Sequence, residues 1–459
     1  MTHYDLAVIG TGSGNPIVTK QFADWRVAIL EENLFGGTCL NVGCIPTKMF
    51  VYPGDLARSA RHAPALGVDA SYDGARWPEI RDRIFGRIDP IAASGKAYRE
   101  GQPHVDVFDQ HATFLDDHTL ALHPEEGGTG AQITADHIVI AAGGRVDVAD
   151  IPGLDEVDFH TSDTVMRLDD LPRRMAIIGG GYVAAEFAHV FSALGTRVTQ
   201  IQRGPRLLHW QDEDISRRFT EIAAKQWDVR LGTTTTKVVQ RGGMTTLSLS
   251  DGTELETDVL LIATGRVPNG DRLGLENTGI ASEDGRILVD EHQRTTVSGV
   301  WALGDISSQW QLKHVANLEA RTIRHNLLHP DDLVASDHRF VPSAVFTSPQ
   351  IASVGLTSQD AREQGIEHIV VTEDYADVAY GWAMESAPGE HFVKLLGDPE
   401  GQRLLGAHII GPQASVLLQS LVQGMSLGAS PYEMSRGQYW IHPSLAEVVE
   451  NALLKMATK

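Results

Sequence analysis

Cysteine is almost absent from this chain: only Cys39 and Cys44 occur in 459 residues. Two cysteines cannot build the disulfide framework of a secreted scaffold, and in a reducing compartment a close pair points to catalysis. Positive charge is scarce too, with 38 Lys and Arg against 60 Asp and Glu, a formal net charge of −22. An acidic surface repels nucleic acid and anionic lipid, so neither is expected as a partner. No apolar run is long enough to span a bilayer. The N-terminus, "MTHYDLAVIG", enters a strand pattern at once and leaves no room for a signal peptide, which makes a cytoplasmic enzyme the expectation. No metal-ligating pattern is identified. The rest is ordinary for a globular chain, 42% hydrophobic and 21% charged, with length for about three domains.

What is present is a unit that occurs twice. "YDLAVIGTGSGN" is a buried-strand run closing on Gly10, Gly12 and Gly14, and "VAILEE" follows as a second strand ending in Glu31. "HIVIAAGGR" is a further apolar strand closing on glycines. The second copy, "RMAIIGGGYVAAEFAHVFSALG", closes on Gly179, Gly180 and Gly181; its second strand, in "RVTQIQRGPR", ends near Arg203, and "VLLIATGRVPN" comes later. In each copy a first glycine lets a strand turn sharply into a helix, and a second lets a pyrophosphate approach the helix N-terminus. The third-glycine place holds Asn15 in one copy and Ala184 in the other. Alanine is a small variant, whereas Asn15 leaves the closeness of helix and strand there open. One such motif alone is weak; two with their flanking strands indicate two dinucleotide sites.

The strand ends separate the two ligands. Glu31 lies 21 positions after Gly10 and can accept hydrogen bonds from a ribose 2′-hydroxyl; the alternative is a solvated loop carboxylate. The second copy offers Arg203, with Arg206 nearby, and guanidinium pairs with phosphate, so NADP is expected there in preference to NAD.

The cysteines sit in "GGTCLNVGCIPTK". Residues five apart are separated by ~140° around an ideal helix, so the two cannot bond across a regular one. They need a bent or just-starting turn, for which Gly36, Gly37 and Gly43 give freedom. A thiol at a helix start has a lowered pKa and is both a better nucleophile and a better leaving group. Two inert buried cysteines are the alternative. Lys48, four residues on, can add positive charge near the reacting centre.

"GGTCLNVGCIPTK" resembles the redox-disulfide motif of the flavin-dependent pyridine nucleotide–disulfide oxidoreductases, the family of glutathione reductase, dihydrolipoamide dehydrogenase and mercuric reductase. The likeness runs the length of the chain. "VWALGDI" is similar to the family's second flavin motif, with Asp305 as its aspartate, and "GGGYVAAEFA" to its nicotinamide motif, with Tyr182 as the lid over the flavin and Glu186 as the partner of Lys48. By the same resemblance Thr38 and Gly265 belong to the cofactor-binding set. "RGQYWIHPSLAEVVENAL" matches the C-terminal HPxxxE motif, in which His442 is the acid–base and Glu447 orients it. A histidine of near-neutral pKa suits that task, and a carboxylate on its other nitrogen fixes the tautomer.

The resemblance implies an α/β chain with two Rossmann-like dinucleotide-binding domains and a C-terminal α+β dimerisation domain. It implies FAD and NADPH as cofactors, and an obligate homodimer in which His442 serves the other subunit's active site. Expected boundaries are 1–147 for FAD, 148–267 for NADPH, 268–337 for a central domain and 338–459 for the interface, placed where "GRVDVADIPG", "GRVPNGDRLG" and "HPDDLVASDHRFVP" break the periodic pattern. The implied activity is NADPH-dependent reduction of a disulfide. With no cysteine after Cys44, electrons must leave for a small diffusible disulfide. The segment "NPIVTKQFADW", read as the helix after the first glycine loop, offers only Lys20 before Arg26, poor provision for the carboxylates of glutathione. "FGRIDPIA", "HTSDTVMRL", "DVAYGWAME" and "RGQYWIHP" carry a likeness to one particular member of the family. The alternatives are a lipoamide or glutathione reductase, and a flavin-binding sensor without turnover.

Overall fold

The computed structural model describes residues 1–123 and 130–458. Six strands, β1 (Thr2–Ile9), β2 (Val27–Leu30), β3 (Val105–Phe108), β4 (His111–Asp116), β5 (Thr119–His123) and β6 (Gln132–Ile140), form the first sheet in the order β3-β2-β1-β6-β5-β4. Strand Val300–Ala302 joins it from far along the chain, pairing parallel with β6 through Val300↔Ile138. The β3-β2-β1-β6 pairs are parallel, and β4 and β5 form an antiparallel hairpin on the edge. Both faces of the parallel part are covered, which is why β1 reads as a nearly continuous apolar run. Leu6 and Val8 pack with Phe22 and Ile323, and Ile9 with Leu120 and Ile306.

Six helices matter to the site: α1 (Gly37–Asn41), α2 (Cys44–His62), α3 (Trp77–Glu100), α4 (Tyr182–Ala193), α5 (Glu213–Gln226) and α6 (Lys313–Leu328). The second nucleotide unit is a four-stranded parallel sheet in the order Asp228–Leu231, Arg197–Gln202, Arg174–Ile178, Val259–Ile262. Its glycine turn enters the 12-residue α4, whose apolar length is buried. The C-terminal part is a five-stranded antiparallel sheet between Ser343 and Ile410 with the helices Ala414–Leu427 and Ala446–Ala457 packed on it. Among the described residues no helix is long and apolar enough to cross a membrane.

One expectation fails here. No α-helix follows the first glycine loop; the segment makes two short 3-10 turns, Asn15–Ile17 and Lys20–Phe22. Between them Val18 and Thr19 are extended, and the Thr19 hydroxyl accepts from Gln21 N to start the second turn. The β-branched run Ile17-Val18-Thr19 disfavours a helix at this point. In its stead α6 covers this face of the sheet, with Ala316, Ala320, Ile323 and Leu327 in one cluster with Ile17, Val18 and Phe22. Arg99 of α3 holds the loop exit: its Nε donates to the Asn15 side-chain oxygen and its Nη2 to the Asn15 carbonyl, both at 2.6 Å.

Candidate active site

Cys39 lies on α1 and Cys44 opens α2, with Val42 and Gly43 breaking the two helices apart. A Cβ at Gly43 would stand 2.8 Å from the Thr38 carbonyl oxygen, so this tight junction requires glycine. The two thiols, both free in the structure, stand on the same wall of the site and titrate as a pair. The hydrogen bond from Cys39, helped by the field of Lys48, brings Cys44 down to about 6 against the effect of burial. The same hydrogen bond and burial push Cys39 up. The arrangement favours a thiolate on Cys44 over one on Cys39.

Residues that the sequence did not single out hold this loop. Asn41, 2% exposed, donates from Nδ2 to the carbonyls of Leu34, Phe35 and Gly37. Thr11, between the glycines, donates its N–H and hydroxyl to Glu31 Oε2 at 2.9 and 2.5 Å, and its hydroxyl accepts from Gly36 N at 2.8 Å. Glu31 is thus a buried carboxylate tied to the glycine loop, not a solvated one. Lys48 reaches both oxygens of buried Glu186 at 2.8 and 2.7 Å, and Phe346 N donates to the same carboxylate at 2.9 Å. Tyr182, first residue of α4, faces the same cavity, and burial pushes its hydroxyl up to about 12. Asp305 follows Gly304 (φ +74°) beyond strand Val300–Ala302; burial raises its carboxyl, opposed by Arg266 at 4.0 Å.

One cavity of about 1340 Å³ joins these groups, lined by Gly10, Gly12, Glu31, Thr38, both cysteines, Lys48, Tyr182, Glu186 and Asp305. It opens at the carboxyl ends of the parallel strands, where α/β sheets bind ligands, and exceeds the ~300–1,000 Å³ of a drug-sized pocket. The residues fit an FAD. Gly10 (φ +98°) turns the chain where a Cβ would meet the Ala141 carbonyl at 2.3 Å, and a Cβ at Gly37 would lie 2.7 Å from Gly12 Cα. Gly14 lies off the cavity wall; a Cβ there would meet Gly10 O at 2.7 Å and both Ala141 and Val8 at 2.8 Å.

The nicotinamide side fits NADP. Gly179 (φ +139°) would place a Cβ 2.1 Å from Ala263 O, and Gly181 caps α4 beneath the Trp210 ring. Arg203 is exposed just past strand Arg197–Gln202, with Arg206 half-buried beside it; neither has a carboxylate within 4.0 Å among the described residues. Gly265 (φ +152°) stands against Asp147, where Arg266–Pro268 pairs with Gly144–Val146.

His442 lies elsewhere. Its Nδ1 is 2.7 Å from Glu447 Oε1, and Ser444 N donates to the other oxygen, but neither residue lines the cysteine cavity. The His442 side chain is 73% exposed, flanked by exposed Tyr439 and Ile441. Within one chain His442 and the thiols are not brought together.

This chain belongs to the pyridine nucleotide-disulphide oxidoreductases: that family's model matches residues 4–320, and the model of its dimerisation domain matches residues 341–453. It is an FAD- and NADPH-dependent disulfide oxidoreductase. Over 458 residues it is 52% identical to the mycothione reductase of Mycobacterium tuberculosis, covering 99% of each chain. It is 32% identical to a mercuric reductase of Staphylococcus aureus, over 93% of this chain and 77% of that protein. Its fold matches the HOCl-induced flavoprotein disulfide reductase RclA of Escherichia coli, solved as a Cu(II) complex, with a TM-score of 0.87 and 29% identity over 99% of this chain and all of that one.

Proposed function

We propose that this protein reduces mycothione, the disulfide of the glucosamine–inositol thiol mycothiol, with electrons from NADPH. The observation that carries the reading is 52% identity to a mycothione reductase over 99% of both chains, against 32% for the mercuric reductase. Likeness in "FGRIDPIA", "HTSDTVMRL", "DVAYGWAME" and "RGQYWIHP" supports it, as does the lack of any cysteine beyond Cys44 to relay electrons onward.

Gly10, Gly12, Glu31, Thr38 and Asp305 hold the FAD, and Gly179, Gly181, Arg203 and Arg206 the NADPH, with Tyr182 moving aside for the nicotinamide. An FAD held there would supply the electron pair, drawn as hydride from NADPH, that opens the Cys39–Cys44 disulfide. Lys48, fixed by Glu186, holds positive charge beside Cys44, where the thiolate is retained. Cys39 attacks one sulfur of mycothione, forming a mixed disulfide as the first mycothiol leaves. His442 of the partner subunit, oriented by its own Glu447, takes the Cys39 proton and returns it to the departing thiolate. Cys44 then attacks Cys39, closing the internal disulfide and releasing the second mycothiol as its thiolate, which takes a proton from water. The trans arrangement is supported by the separation of the His442–Glu447 pair from the cavity of its own chain. On this reading residues 1–147, 148–267, 268–337 and 338–459 are the FAD, NADPH, central and interface domains of a cytoplasmic homodimer.

Steady-state NADPH oxidation with mycothione, glutathione disulfide and lipoamide tests the substrate. The expected kcat/KM for mycothione exceeds the other two by ~100-fold or more. Faster turnover of glutathione disulfide or lipoamide rejects the assignment, and a single turnover with every disulfide makes the protein a sensor.

A further inference from the structure

Seven lysines and arginines line the central cavity, and six of them are neutralised. Lys48 pairs with Glu186, Lys96 with Asp109, Arg145 with Asp271, Arg167 with Asp89, Arg272 with Glu32, and Arg266 lies 4.0 Å from Asp305. Lys313, the first residue of α6, is the exception: among the described residues its only side-chain hydrogen bond is to the Ser13 hydroxyl, at 2.8 Å. Lys313 shares the wall of one cavity with Cys39, Cys44 and Asp305, and these three carry the charges that act on it. Half-buried in the wall, its charge is screened less than a surface lysine's.

We propose that Lys313 is the standing counter-cation of the cysteine pair, and that its charge raises the reduction potential of the Cys39–Cys44 disulfide. Reduction breaks the S–S bond and takes up two electrons, supplied by NADPH through FAD, and one proton, leaving one thiol and one thiolate. Lys48 cannot neutralise that new negative charge alone, because Glu186 already holds its ammonium at 2.7 Å. The other charged and titratable groups facing the pair are Tyr182, Asp305 and Arg266, and the last two offset each other. Lys313 therefore acts on the product of the reduction and not on the disulfide, and a cation that favours only the reduced form shifts the equilibrium toward it. The inference rests on Cys39 and Cys44 being the exchanging pair.

The test equilibrates holoenzyme across a dithiothreitol redox series and traps thiols by alkylation, for wild type, Lys313→Met and Lys313→Arg. The expected result is at least a tenfold shift of the Lys313→Met equilibrium toward the disulfide, about 30 mV for a two-electron couple. Lys313→Arg should restore most of it, and the pH midpoint for thiolate alkylation should rise in the Met variant alone. An unchanged potential in Lys313→Met, or an Arg variant as impaired as Met, overturns the assignment. If the wild-type cysteines do not titrate as a disulfide at all, the functional reading itself falls and this inference with it.

Discussion

The two nucleotide units begin with the same motif and continue differently. After Gly181 the chain enters the 12-residue α4; after Gly14 it makes two short 3-10 turns, and α6, some 300 residues later, covers that sheet face. The second unit presents a helix N-terminus with Arg203 exposed and Arg206 half-buried near it; the first presents a buried carboxylate, with Arg99 on the loop exit and Lys313 in the cavity wall brought in from elsewhere. A phosphate-cradling turn is thus separable from the helix that usually follows it. Without that helix, other elements must hold the turn's exit and supply positive charge.

The strongest way to break this comparison is at position 14. Gly14→Val places side-chain atoms against Gly10, Ala141 and Val8, where even a Cβ is closer than 3 Å, so no flavin-loaded protein is expected. The aligned residue of the second unit is already Val183, and Val183→Gly should lose only about 1 kcal/mol of helix stability while keeping its flavin. Flavin absorbance per chain reads both.

A second difference lies in how each unit is anchored. The second is clamped to the C-terminal sheet by the buried Lys394, which reaches Asp212 Oδ1 at 2.8 Å and Asp214 Oδ2 at 2.6 Å beside His408. Lys394→Met should cost about 3–5 kcal/mol at neutral pH, because Asp212 is left buried and unpaired. Against its burial, His408 and Lys394 hold Asp212 down at about 2, below its value of 3.8. A carboxyl lowered by folding contributes stability above its unfolded pKa and loses it as pH falls toward the folded one. The gap in thermal stability between wild type and variant should therefore be full above pH ~4 and close toward pH ~2. A gap that widens on acidification contradicts the clamp.

Next in size is the ligand distinction. Arg203→Asp should raise the KM for NADPH about tenfold or more, since a hydrogen bond to a charged group is worth about 1.5–3 kcal/mol, with kcat and the KM for NADH little changed. Equal effects on both nucleotides would remove the arginine from the phosphate site. The smallest effect is at Arg99. Arg99→Leu leaves two Asn15 oxygens without their donor, so a loss of about 1–3 kcal/mol and weaker FAD retention are expected, with the KM for NADPH unmoved. Full FAD occupancy and an unchanged melting temperature would show that the loop exit holds itself.

Much of this site was legible because its chemistry is local. Cys39 and Cys44 stand five residues apart, and Gly10, Gly179 and Gly43 each occupy a backbone position that a Cβ would block. What escaped is what arrives from a distance. Lys313 meets Ser13 across 300 residues, and Asn41 and Thr11 act through backbone carbonyls and N–H groups that no spacing rule marks. The missing first-unit helix escaped for a related reason. Asn15 and Pro16 both suit a helix start, and only the β-branched run after them, with Arg99 and α6 in place, tips the segment into 3-10 turns.

The central claim is that each active site takes its thiols from one chain and its base from the other, and mixed dimers test it directly. Refolding a Cys39→Ser chain with a His442→Ala chain yields, by random pairing, half heterodimers, each with one intact site if the site is shared. About a quarter of wild-type turnover should return from two inactive parents. If the two variants together stay as inactive as each alone, while the heterodimer is shown to form, the base serves its own chain and the account is wrong.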